Sequence, residues 1–155
     1  ELLGSPVFLR KNAQTGAFSH ALVREVVRQD IAWSKRRLLN GRIAAALETR
    51  GAPPETVGRY WLDAGAKVRA RGAFAEAAGD YCRLHAYADA TRTAHEALEL
   101  WPKGEDEPAR LALLGQLAQC ARVSGRFHLA VQALRETLES PLVRDDLGKT
   151  AEIHR

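Results

Sequence analysis

The sequence predicts an all-α chain, and three observations carry that expectation. Of its 155 residues only 6% are aromatic, and alanine and leucine dominate an apolar share of 46%, a bias that suits helices better than sheets. Apolar residues recur at three- and four-residue spacing along most of the sequence. From about Val68 onward, helix-length blocks alternate with tight breaks, and short links between long helices force neighbours to pack antiparallel as helical hairpins. An apolar share of this size is ample for a core and excludes wholesale disorder.

The first segment is the only place where strands are expected. Short runs at 7–10 and 17–19 flank a polar stretch ending in Gly16, which reads as a β-hairpin near 7–19 that begins after Pro6. From His20, the positions Leu22, Val23, Val26, Val27 and Ile31 form one apolar stripe on a helix. Ser34 is the expected N-cap of the next helix, which carries Leu38, Leu39, Ile43, Ala46 and Leu47 and is stopped by Gly51 and the pair Pro53-Pro54. Pro54 suits the first turn of a third helix, which carries Val57, Tyr60, Trp61 and Leu62 and ends before Gly65. Further helices are predicted near 67–83, 87–100, 107–123, 127–139 and 145–155. The change of texture divides the chain into residues 1–66 and 67–155.

The second part repeats. Tyr87, Ala90, Ala94 and Leu98 fall on Phe127, Ala130, Leu134 and Leu138 at an offset of 40, and Phe74, Ala77, Ala78 and Tyr81 fall on Leu114, Leu117, Ala118 and Ala121. Small residues at 78 and 118 face small residues at 90 and 130, which close helix approach requires, while Tyr81 fills the gap beside them. A period of this length marks a solenoid.

In these positions the chain resembles the tetratricopeptide repeat (TPR) family. The unit at 71–104 carries Phe74, Ala77, Ala78, Tyr81, Tyr87, Ala90, Ala94, Ala97 and Pro102 at the family's intervals. The unit at 111–144 matches at Leu114, Leu117, Ala118, Gly125, Phe127, Ala130 and Leu134, and departs at Ala121 and Thr137. A polar insert at 103–107 accounts for an offset above the usual 34. The resemblance implies a TPR-like helical-hairpin solenoid whose groove binds a protein or peptide. Candidate groove positions are Arg69, Glu76, Asp80 and Arg83.

Residues 18–25, with Arg36-Arg37-Leu38, residues 43–48 and residues 53–65 behind them, are similar to the region that follows the ATPase core in STAND-type regulators, LuxR-type transcriptional regulators and signalling cyclases among them. That resemblance implies a winged-helix-like segment at 1–66 ahead of the repeats, and a role in regulation. It also implies that His20 contacts the phosphate of ADP in a full-length parent, although Ser19 and Ala21 depart from the Met-His-Asp form of some relatives. No phosphate loop of the G-x-x-x-x-G-K-[ST] kind occurs, so no cofactor is expected here, ATP or ADP belonging to the parent. Glu1 opens the chain and methionine is absent, which points to an excised segment of a longer protein, with other domains of that protein as partners.

Enzyme chemistry is not expected. His95-Glu96-Ala97-Leu98-Glu99 lacks the second histidine of a zinc-protease helix, and Cys82-Arg83-Leu84-His85 offers only two ligands. Cys82 and Cys120, far apart in sequence and each in an apolar helical pattern, read as buried free thiols of a reducing, cytoplasmic compartment. No stretch approaches the ~20 apolar residues of a membrane span. The net charge is +4, and Arg24, Arg28, Lys35, Arg36, Arg37 and Arg42 cluster on the first two long helices. They suit an acidic domain of the parent or, in the alternative reading, DNA phosphates under a winged helix with a helical dimerisation tail.

Overall fold

A computed structural model describes residues 9–11, 16–18 and 32–144. The architecture is all-α, with one short antiparallel ladder in which β1 (Leu9–Lys11) pairs with β2 (Gly16–Phe18), Leu9 opposite Phe18. Among the described residues the helices that follow include α1 (Trp33–Thr49), α2 (Pro54–Asp63), α3 (Lys67–Arg83), α4 (Tyr87–Glu99), α5 (Glu107–Val123) and α6 (Phe127–Glu139), and residues 141–144 are helical as well. The helices expected over 20–31 and 145–155 lie outside the described residues. The chain divides into two compact units, 1–39 and 40–155, and the sequence boundary at 66/67 falls at the link between α2 and α3.

Helices begin and end where the local chemistry dictates. Pro54 and Pro108 occupy first-turn positions of α2 and α5, where a missing N–H costs nothing. α1 starts at Trp33, so Ser34, the expected cap, sits inside its first turn. Four links share one closure. Two residues past α1, α2, α3 and α5 the backbone turns left-handed, at Gly51, Gly65, His85 and Gly125. The next N–H then reaches back over the helix end: Ala52 to the Leu47 carbonyl, Ala66 to Trp61, Ala86 to Tyr81 and Arg126 to Ala121. Three of these sites are glycine because a Cβ is strained there; His85 adopts the same conformation with a side chain.

From α2 to α6 each helix packs chiefly on its neighbours in sequence. The side-chain pairs fix the directions. Tyr81 near the end of α3 bonds Glu55 at the start of α2, and Arg110 early in α5 bonds Glu136 late in α6, so α2 with α3 and α5 with α6 are antiparallel pairs. Glu55 meets Arg92 and Arg59 meets Glu96, so α2 and α4 run parallel; Cys82 and Cys120 bring the last turns of α3 and α5 together. α3 and α5 are each 17 residues long, α4 and α6 each 13, and α1 has 17 as well, beginning 34 residues before α3. Sequence reading found the recurrence only from residue 71.

The core consists of small residues with few large ones between them. Ala70, Ala73, Phe74, Ala77 and Ala78 of α3, Ala90, Ala94 and Ala97 of α4, and Leu113, Leu114, Leu117, Ala118 and Ala121 of α5 are buried. Val57, Gly58 and Trp61 bury the inner face of α2. In α1 only Ala44 is fully buried, while Leu38, Leu39 and Ile43 stay exposed. Leu134, aligned with fully buried Ala94, is 53% exposed, and among the described residues α5 is the helix packed extensively on α6. A Cβ on Gly58 would lie 2.8 Å from the Phe74 ring, which ties α2 and α3 to a close approach.

Charge supports the row from outside. Glu55, only partly exposed, accepts from Arg92 at 2.7 and 3.1 Å and from the Tyr81 hydroxyl at 2.7 Å, with Arg59 at 3.5 Å. Arg59 also donates to Glu96 at 2.8 Å. The Arg92 hydrogen bond is the largest influence on the Glu55 carboxyl, and against the opposing effect of burial it is held at about 2 instead of 4.5.

Two predictions follow from this packing. Gly58→Val forces its side chain into the Phe74 ring, and urea denaturation is expected to show a loss of about 1–3 kcal/mol; an unchanged midpoint contradicts the close approach. Because the Glu55 pKa is depressed, its contribution is fully present above pH 4.5 and is lost as pH falls through about 2. Glu55→Gln is therefore expected to be less stable than wild type by about 1.5–3 kcal/mol at pH 7, with the two converging across that acid window in pH-resolved denaturation.

Candidate binding surface

Residues 69, 72, 76, 79, 80 and 83 fall along one side of α3 by helical periodicity. Near the start of that side is a cleft of about 370 Å³, walled by Glu48 and Gly51 at the end of α1, Pro54 and Val57 of α2, and Arg69, Gly72 and Glu76 of α3. Its apolar lining comes from Ala52, Pro54, Val57 and Ala73.

The adjoining Trp61 is locked from two sides. Its indole N–H donates to the Glu48 carboxylate at 2.7 Å, and the Arg69 guanidinium lies 4.5 Å from the ring centre. Both contacts fix polar groups at the rim before anything binds, which lowers the ordering cost of recognition. Gly72 and Gly79 have open space where a Cβ would stand, so the helix backbone itself is accessible on this side.

The structure brings together two of the four expected groove residues, Arg69 and Glu76, and adds Glu48, which sequence reasoning missed. Asp80 and Arg83 lie further along α3 and pair with each other, outside the cleft. His20, Arg24 and Arg28 lie outside the described residues. Lys35 and Arg42, seven residues apart, share a side of α1, whereas Arg36 and Arg37 point elsewhere and the Arg37 guanidinium sits 4.7 Å over Trp33. Arg37 and Arg71, 34 residues apart, both stack on tryptophan, Arg71 on Trp101 at 4.7 Å, and Arg71 is also held by Glu105, which raises its pKa.

A second feature had no sequence signal. Lys103, Glu107, Arg110, Glu136, Glu139 and Ser140 line a cleft of about 720 Å³ at the end of α6. Its charges come from the 103–107 insert and from two different helices, so only folding assembles them. The Arg110 Nε and Ser140 Oγ there are buried and lack hydrogen-bond partners among the described residues. Among those residues no cluster of three metal-ligating side chains occurs, and no helix is long and apolar enough to cross a membrane.

The openness of the α3 side has a direct test. Gly72→Ala and Gly79→Ala each place a methyl group in free space, so each is expected to raise stability by about 0.5–1 kcal/mol in denaturant titrations; destabilisation by either means that side is covered. Compared with protein-family models, with curated proteins and with solved structures, the chain gives no match.

Proposed function

We propose that the chain is a non-catalytic protein-interaction and regulatory module, in which TPR-like helical hairpins hold a peptide or protein against the α3 side. The observation that carries this reading is the recurrence of a 17-residue helix and a shorter partner, with α2 and α4 parallel and tied by Glu55–Arg92 and Arg59–Glu96. Such a row leaves the first helix of each pair with one side free, and on α3 that side carries glycines, an apolar cleft and preset charges.

In the same reading the chain is a segment of a bacterial STAND or LuxR-type ATP-dependent regulator. This reading takes the short ladder of β1 and β2 as the hairpin of its winged-helix-like segment. Occupation of the groove then shifts the nucleotide-linked state of the parent, since a ligand moves an equilibrium by its differential affinity for the two states.

Selection from a displayed peptide library is expected to yield binders whose affinity falls at least tenfold with Gly72→Phe. That substitution fills the cleft from an open position, so circular dichroism should show the fold retained. Binders indifferent to Gly72→Phe contradict the location. Calorimetry is expected to find no tight ADP binding to the chain alone; micromolar affinity lost in His20→Ala overturns the absence of nucleotide function.

A further inference from the structure

Cys82 and Cys120 are 38 positions apart, on helices that are not consecutive, yet their sulfur atoms lie 3.1 Å from each other. Both are free thiols. Each thiol comes from the last turn of its 17-residue helix, and the contact between them brings those two turns together. A disulfide has a sulfur separation of about 2.05 Å, so bond formation needs a relative movement of about 1 Å. No third ligating side chain joins the two among the described residues, so a metal does not account for the pairing.

We propose that Cys82 and Cys120 form a reversible intramolecular disulfide when a peroxide reaches Cys82, fastening α3 of one hairpin to α5 of the next. The two thiols differ in access: Cys82 is half-buried and Cys120 is buried. Burial, and then the contact with Cys82, push the Cys120 thiol up to about 12, so it stays protonated and acts second.

In the first step the Cys82 thiolate attacks a peroxide oxygen. The S–O bond forms as O–O breaks, and the expelled hydroxide takes a proton to leave as water, giving the sulfenic acid of Cys82. In the second step the Cys120 sulfur attacks the Cys82 sulfur. The S–S bond forms, S–O breaks, and the departing hydroxide takes the Cys120 proton as a second water. Two thiols have lost two electrons and the hydrogen peroxide has gained them. A low-molecular-weight dithiol reverses the reaction by thiol–disulfide exchange.

The bond would fix the spacing between successive hairpins near the end of the same helix that carries the cleft. The inference stands on the sulfur geometry and is independent of what the cleft binds. Treating the folded chain with equimolar hydrogen peroxide is expected to remove two hydrogens from its intact mass. After quenching and denaturation, iodoacetamide labelling should fall from two cysteines to none, dithiothreitol should restore both, and the oxidised chain should melt at a higher temperature than the reduced one. C82S and C120A should each show no such mass loss. Two cysteines still labelled after peroxide, oxygen adducts in place of the lost hydrogens, or a bond between two chains overturns the proposal. The wild-type chain alone decides it, so poor folding of C120A leaves the test intact.

Discussion

Close approach between helix backbones is the constraint on which the rest of this structure depends. It is met by side-chain size. Gly58 lets the Phe74 ring lie against the α2 backbone, and Ala70, Ala73, Ala77 and Ala78 keep α3 slim where it meets its neighbours. Ala90, Ala94 and Ala97 do the same for α4. A core of this kind buries modest apolar area per residue, so it relies on close-packed contact and tolerates little change of volume at the crossing points. Phe74 and Leu114, both fully buried, are the large side chains that fill what the alanines leave.

Small-residue packing holds helices together but says little about how they slide past one another. Charges fix that on the outside. Glu55 is bonded by residues of α2, α3 and α4 at once, so any shift of one helix breaks several charge-assisted hydrogen bonds. Arg110 with Glu136 repeats the idea between α5 and α6, and Arg71 with Glu105 ties α3 to the insert. These guanidinium groups are buried or partly so, and a buried charge without its partner is costly, which makes each pair demanding of register.

Much of the row was legible in the sequence. The helices at 67–83, 107–123 and 127–139 have the bounds that apolar spacing suggests, and α4 closes one residue short of the expected 100. Gly51, Gly65 and Gly125 announced three of the four links that share one closure; His85 carried no such sign. The α3 side was legible in part: Arg69 and Glu76 line the cleft, but Glu48 comes from α1 and Asp80 with Arg83 forms a local pair. The third occurrence of the 17-residue helix was hidden, because α1 shares its length with α3 and has Ala44 where α3 has Ala78, while its larger side chains follow no common pattern.

Helix positions, link chemistry and the small-residue stripes were determined by the sequence itself, because they depend on contacts three to five residues apart that periodicity exposes. What sits beside what across the row was decided only in three dimensions. Glu55 beside Arg92, Trp61 between Glu48 and Arg69, and two cysteines 38 positions apart in sulfur contact all depend on the axial register of helices against one another. That register is set by many small packing terms acting together, and a helix shifted by one turn, about 5.4 Å, would keep the same sequence pattern and lose every one of those neighbours.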